Sequence, residues 1–251
     1  MSNHTHPSEM RLKAAVIDRL LGGSHVDKDA VIISEMTVAN WTRRADVVLA
    51  NGTLWAFEIK SNSDSLHRLP GQIEAFRRHF EKFTIVAAER FETAIYNMMP
   101  EGVGLWIVDA QGRITQRVPP RQTRLSKAAY ISLMTAAEIK QLLSANGIAA
   151  MKGASRSRLA EMAENLPLSD LGEAARNAVK RRHRRRHNEF IIRKGQVGTA
   201  EAMPTFHRTK RSQHWDEQER PSVQLPETAI PIDHPLLVNA PAGPVLKRLV
   251  R

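Results

Sequence analysis

The spacing of apolar positions changes period several times along the first half of the chain, and each change marks an element. From 8 to about 21, Met10, Ala14, Ile17, Leu20 and Leu21 recur at helical spacing, and Gly22-Gly23 ends the run. Three β-rich runs follow at 31–36, 45–49 and 54–60, and Asn51-Gly52 between the last two is a hairpin signal. Pro70 suits a first helical turn, and Ile73, Phe76, Phe80 and Phe83 supply the stripe of a helix reaching about 81. A short apolar strand at 84–88, a helix at 91–98, a buried strand at 104–108 and a strand at 114–118 complete the series. Helix, three strands, helix, strand, helix and strands together predict an α/β layer fold with a mixed sheet.

After Pro119-Pro120 the period becomes helical. Thr135 and Glu138 form a capping-box pattern ahead of Ile139, Leu142 and Leu143, with Gly147 as the stop, and a second helix starts near Ser155 and carries Leu159 and Met162. The segment KRRHRRRHNEFIIRK then concentrates basic charge, and beyond it repeated prolines without periodicity predict an extended or disordered tail. The expected organisation is a domain over 1–122, a small helical module over 126–168, and a basic segment with a Pro-rich tail over 169–251. No internal repeat is visible.

Composition narrows the function classes. Of 251 residues, 42% are hydrophobic and only 5% aromatic, which suits a compact core in part of the chain. Lys and Arg number 37 against 26 acids, and the net charge of +11 favours polyanionic partners through counterion release. The absence of Cys excludes disulfides, thiolate zinc sites and cysteine nucleophiles, and suits a reducing cytoplasm. MSNHTHPSEM lacks a secretory apolar stretch, and no apolar run approaches the roughly 20 residues of a membrane helix, so a cytoplasmic protein without a membrane partner is expected.

The candidate chemistry lies in RRADVVLANGTLWAFEIKS. Side chains alternate across a strand, so Glu58 and Lys60 share one face and Trp55, Phe57 and Ile59 the other, apolar one. A strict two-residue Asn51-Gly52 turn would set Asp46 opposite Phe57 and separate the acids. An odd-length loop, or a bulge near the site, would bring Asp46 opposite Glu58. Two carboxylates, Asp46 and Glu58, with the backbone carbonyl of Ile59, are hard oxygen ligands suited to Mg²⁺ or Mn²⁺. Such an ion activates water and neutralises a phosphoryl group, and Lys60 beside it would orient the attacking water or stabilise developing charge.

Asp46 followed by Glu58-Ile59-Lys60, within this element order, resembles the PD-(D/E)XK nuclease superfamily over roughly residues 8–118. Gln72-Ile-Glu-Ala-Phe76 is similar to the Gln-x-x-x-Tyr helix motif of many exonuclease members, with Phe76 departing from Tyr. Glu9 sits where the first helix of the family often carries an acid. The stretch EIKSNSDSLHRLPGQIEAF also resembles a subgroup of uncharacterised bacterial and phage proteins distantly similar to MmcB-type DNA repair proteins. The superfamily's Pro before the acid is replaced by Ala45. The resemblance implies a restriction-endonuclease-like core and a metal-dependent hydrolase of DNA phosphodiester bonds, in repair, recombination or phage and mobile-element biology. RNA is a further substrate class. Asp46, Glu58, Lys60 and Gln72 would act in catalysis, with Glu9 and Glu35 as further metal-site acids. The alternative is a non-catalytic DNA-binding repair-accessory protein that keeps the fold.

Other positions carry two readings each. Glu35 either supplements the metal site or is an exposed strand-end charge, and Asp64 with Arg68 either holds the approach to the site or, for Asp64, caps a helix. His183 and His187 are four residues apart, but the surrounding arginines oppose a cation, and a solvated basic face or phosphate contact is expected. TAAEIKQLLSANGIAAMKGASRSRLAEMAENL resembles SAP-type DNA-binding helical modules, and its leucines also fit a small packed helical pair without that role. The expected nucleic-acid contacts are Arg68, Lys152, Arg156, Arg158, Lys180, Arg181, Arg182, Arg184, Arg185 and Arg186. No heptad or exposed apolar stripe assigns an oligomeric state.

Overall fold

A computed structural model of the chain describes residues 9–23, 26–38, 42–149 and 153–206. The expectations placed on Lys152 and on the Pro-rich tail lie outside the described residues. Met1–Arg208 forms one compact unit, so the boundaries expected near 122 and 168 fall within it.

Helix α1 (Glu9–Leu21) buries Leu12, Lys13, Ala14, Val16, Ile17 and Leu20. Met10, expected on that face, is 55% exposed, so the buried stripe lies rotated from the anticipated one. Strands β1 (Val31–Val38), β2 (Arg43–Asn51) and β3 (Thr53–Lys60) form the antiparallel meander. Helix α2 (Leu69–His79) then crosses to β4 (Lys82–Ala88), parallel to β3. Phe83, read from the sequence as part of the α2 stripe, belongs to β4 and still packs on Phe76, with ring centroids 5.3 Å apart. Helix α3 (Glu92–Met98) leads to β5 (Gly104–Val108), parallel to β4, and β6 (Ile114–Val118) returns antiparallel. The result is a six-stranded mixed sheet in the order β1-β2-β3-β4-β5-β6.

Both faces of the sheet are covered, which explains why central strands read as nearly continuous apolar runs. One core joins the sheet to α2, α3 and the carboxyl-terminal helices α4 (Lys127–Ser132), α5 (Ala136–Ala145) and α6 (Arg156–Ala163). The other packs α1 against Phe57, Ile59, Val86 and Trp106. Thr135 and Glu138 form the capping box of α5, and Ser155 caps α6 by accepting from the Arg158 N–H at 3.2 Å.

The basic segment forms the 30-residue helix α7 (Leu168–Val197), about 45 Å long at 1.5 Å per residue. Its first half buries Leu171, Ala175, Ala178 and Val179 in the α2-side core, and Phe190 reaches the α1-side core. Between these it passes the free edge of β1. The Ile32 N–H on that edge donates to His187 Nδ1 at 3.2 Å, and Arg184 donates to the carbonyls of Asp29 and Ala30 at 2.5 and 3.4 Å. Covering an edge in this way blocks pairing with another chain. His187, expected on a solvated face, is a buried acceptor instead, and burial together with Arg184 pushes its pKa down to about 4. Helix α8 (Thr199–Ala202) closes the unit, with Thr199 Oγ1 donating to Asp18 Oδ1 of α1 at 2.6 Å.

Candidate active site

The site forms where the meander departs from ideal alternation. The β2–β3 register runs from Asn51↔Thr53 to Val47↔Phe57, around a loop in which Gly52 has φ +68°. This is the odd-length connection expected from the sequence, with glycine in the left-handed conformation that such loops require. Extending the register by one residue sets Asp46 opposite Glu58.

A second irregularity makes Asp46 available. In β1, Val31 and Ile33 join the α2-side core, and so do Met36 and Val38. In β2, Val48 and Ala50 join that core, and so does Ala45. Strict alternation would send Met36, Val38 and Ala45 to the other side. Each strand therefore carries one inserted residue, Glu35 in β1 and Asp46 in β2. The two insertions lie opposite each other, so the register is the same on either side, Ser34↔Val47 and Met36↔Ala45. Glu35 has φ +59°, an uncommon conformation for a residue with a Cβ, and such departures concentrate at functional sites.

Freed from the ladder, the Asp46 carboxylate accepts the Ile59 N–H through Oδ2 at 2.8 Å. Its Oδ1 lies 3.7 Å from the ammonium of Lys13, which is buried on α1 and also contacts Glu9 at 3.1 Å and Glu35 at 3.2 Å. On the opposite layer, Glu58 Oε1 accepts from Lys60 Nζ at 2.7 Å and from Gln72 Nε2 at 2.5 Å. Gln72 Oε1 accepts from the same Lys60 ammonium at 3.0 Å, so Gln72 ties both charged groups together. Glu58, Lys60 and Gln72 thus form one hydrogen-bonded cluster, and Asp46, held by the Ile59 N–H and Lys13, acts on Glu58 and Lys60 through its charge. Lys13 joins them without having been singled out.

Glu58 and Lys60 are only 3% and 5% exposed, and Glu58 Oε2 has no hydrogen-bond partner. Burial first, and then repulsion from Asp46, pushes the Glu58 carboxyl up to about 7 against the pull of Lys60 and Gln72. Burial likewise raises Asp46, opposed by the Ile59 N–H and Lys13. For Lys13 burial works against the charge, but Asp46, Glu9 and Glu35 overcome it and the pKa stands above the ordinary lysine value.

A buried carboxylate oxygen lacking a partner, next to a second carboxylate, fits a hard divalent cation that keeps several of its own waters. Among the described residues no group of three or more His, Asp or Glu side chains gathers at metal-binding spacing, so side-chain ligation would rest on Asp46 and Glu58. Glu9 and Glu35 are engaged with Lys13, and Glu35 also with Arg44 at 3.0 Å. They shape the field of the centre through Lys13.

Asp64 caps no helix. Its Oδ2 accepts from the Ser61 N–H at 2.7 Å and Ser61 Oγ at 2.6 Å, and so fixes the turn by which the chain leaves Lys60. Phe76 is fully buried against Phe80 and Phe83, which explains an apolar ring at that place in the helix motif. Arg68 is exposed just ahead of α2.

Several of the expected nucleic-acid contacts are engaged within the fold. Arg156 donates to the Ile131 and Met134 carbonyls at 3.2 Å, Arg158 pairs with Glu161 at 2.9 Å, and Lys180 pairs with Asp29. Arg182 donates to the Leu133 carbonyl at 2.6 Å, and Arg185 lies 3.7 Å from Glu189. Arg181 is exposed, and Arg186 is half-buried.

The fold and centre define an α/β protein with a mixed six-stranded sheet and a buried carboxylate–lysine–glutamine cluster. Residues 2–204 match the family model of bacteriophage P4 protein cII, and the chain belongs to that family. Protein cII of Enterobacteria phage P4 is 36% identical over 196 residues, covering 74% of this chain and 71% of the relative. A solved structure, the SPO1766 protein of unknown function from Silicibacter pomeroyi, overlaps 59% of this chain and 99% of its own at 18% identity and a TM-score of 0.39. Membership of the family connects the chain with phage biology. Among the described residues, no helix is long and apolar enough to cross a membrane.

Proposed function

We propose that the protein is a metal-dependent nuclease of the PD-(D/E)XK type that hydrolyses DNA phosphodiester bonds, with a restriction-endonuclease-like core formed by α1, the meander, α2 and β4. The observation that carries this reading is the buried, unpartnered Glu58 Oε2 beside Asp46, with Lys60 held in the same cluster. Burying a carboxylate with one oxygen left without a partner is costly, and such groups cluster at functional sites. Mg²⁺ or Mn²⁺ held by Asp46 and Glu58, with the Ile59 carbonyl, would supply Lewis-acid stabilisation of the phosphoryl oxygens and a more acidic water. Lys60 presents its ammonium to the reacting phosphate, Gln72 fixes Lys60 and Glu58 relative to each other, and Lys13 balances the charge of Asp46.

The burial of Glu58 and the engagement of its Oε1 favour one further reading, a DNA-binding accessory protein that keeps the fold without turnover. Incubation of the purified protein with linear, circular and branched DNA, and with RNA, in Mg²⁺ or Mn²⁺ separates the two. Cleavage abolished by Asp46→Ala and by Lys60→Ala is the expected result. Cleavage that survives both substitutions sinks the site, and salt-sensitive binding without cleavage selects the accessory reading.

A further inference from the structure

A concave groove opens between the carboxyl-terminal end of α2 and the segment leading into α4. Arg77, Arg78, His79, Arg124 and Ser126 line it over the buried Leu125, and no carboxylate is among its lining residues. The three arginines are exposed. Arg78 pairs with Glu74 at 2.5 Å, but both side chains are well exposed, and such a pair is readily displaced in water. Among the described residues, neither Arg77 nor Arg124 has a carboxylate partner.

Two simpler explanations leave the groove unaccounted for. Basic residues at a helix carboxyl terminus complement the macrodipole, which covers Arg77, Arg78 and His79. It does not cover Arg124, which comes from a different segment, nearly fifty residues on, and faces the same hollow. A general surplus of surface charge does not explain it either. Lys180, Arg182 and Arg184 of the basic helix are spent on Asp29, Leu133 and the free edge of β1, which leaves Arg181 and Arg185 exposed there, whereas the groove gathers three exposed arginines around one hollow.

We propose that this groove seats the phosphodiester backbone of a nucleic acid, and that it, in place of the basic run of α7, is the main polyanion-binding surface of the described unit. The choice of nucleic acid as the anion rests on the nuclease reading. Guanidinium groups suit this role because their planar donors pair with phosphate oxygens two at a time. The same helix links groove and centre, since Gln72 holds the Glu58–Lys60 pair and His79 lies seven residues, about 10 Å of helix, further on. A backbone seated in the groove would have to run along α2, from its carboxyl-terminal end toward Gln72, to reach the candidate active site.

The test is binding alone, by fluorescence anisotropy of labelled duplex DNA and duplex RNA with the full chain in EDTA, so that cleavage plays no part. Arg77→Ala/Arg124→Ala is compared with Arg181→Ala/Arg185→Ala over a salt series, with thermal melting to confirm that both variants fold. The groove variant should bind at least about ten-fold more weakly, with a salt slope shallower by about two, as expected for two lost phosphate contacts on duplex DNA. The α7 variant should stay within about two-fold of the parent. Equal losses on DNA and RNA fit recognition of the shared backbone. Parent-like binding by the groove variant, loss confined to the α7 variant, or no binding of either nucleic acid by the parent at low salt would overturn the proposal. Binding that depends on the groove, in a protein that cuts nothing, leaves the groove standing and removes the nuclease.

Discussion

Replacing Glu58 by Gln should remove a pH dependence of stability that the metal-free parent chain carries. In the folded chain the Glu58 carboxyl is pushed up to about 7 by burial and by Asp46, against 4.5 without those influences. A raised acid holds its proton longer in the folded state than in the unfolded one. Its contribution is therefore fully present below pH 4.5 and is lost as pH rises through 7. At about 1.4 kcal/mol per unit, a shift of this size makes the parent lose between about 2 and 3 kcal/mol from pH 5 to pH 8 through this group. Glutamine keeps one oxygen for Lys60 and Gln72 and has no charge to desolvate, so that loss disappears. The assay is denaturant unfolding of both proteins at pH 5 and pH 8 in chelator. His183 and His187, both lowered to about 4 by burial and neighbouring arginines, destabilise the fold on acidification, but equally in the two proteins, so they cancel and the difference reports Glu58 with its repulsion of Asp46. Parallel pH profiles for the two proteins would show that Glu58 is not a raised acid in the folded chain. Adding Mg²⁺ or Mn²⁺ at pH 8 should then stabilise the parent and leave Glu58→Gln unmoved, because an ion that binds only the folded state adds stability by mass action.

Two further predictions concern residues that hold others in place. On the nuclease reading, Gln72→Ala should lower cleavage ten- to one-hundred-fold, as loss of a supporting hydrogen-bond partner does around metal centres, and independently of that reading it should move the Glu58 stability transition to still higher pH because a bond favouring the charged form is gone; an unchanged transition would show that Gln72 does not hold the carboxylate. Glu81→Gln should cost about 3 kcal/mol or more in denaturant unfolding, since the buried Glu81 accepts from the Leu54 N–H at 2.8 Å, Tyr130 OH at 2.8 Å and Arg176 at 2.7 Å, and a loss below about 1 kcal/mol would contradict that network.

Much of the architecture is legible in the sequence because apolar period, turn residues and caps agree. The meander, α2, the parallel strands and the α5 capping box all follow from such local signals. Glu58 and Lys60 are legible for a different reason: two charges at alternate positions of an otherwise apolar strand must share a face. What the sequence leaves unread shares a cause, since each residue serves a tertiary purpose that local rules do not describe. Lys13, four residues after Glu9, has the spacing of a solvated helix pair, and only the packing of α1 beneath the inserted strand residues buries it. The basic run reads as a charged surface, yet Ala175, Ala178 and Val179 give one face of α7 a modest apolar stripe, and His187 and Arg184 serve the edge of β1. Glu81 stands at a helix-to-strand junction where a charge is ordinary, and its burial depends on Tyr130 and Arg176, 49 and 95 residues away.

The paired insertion at Glu35 and Asp46 explains why the centre draws on both layers of the fold. Each strand shifts its faces by one residue at the same point, so the sheet keeps its register and its hydrophobic cores while one acid on each strand leaves the alternation. A single insertion would have slipped the pairing and sent the remaining apolar residues of that strand to the wrong side. With two, Asp46 can accept from the Ile59 N–H at the point where β2 leaves the ladder, and Lys13 of one helical layer is brought toward the Glu58, Lys60 and Gln72 cluster of the other. The arrangement burdens the fold with charges that packing alone would exclude. That burden is gathered on β1, β2, β3 and α1 around one centre, and Glu58 Oε2 is the oxygen it leaves without a protein partner.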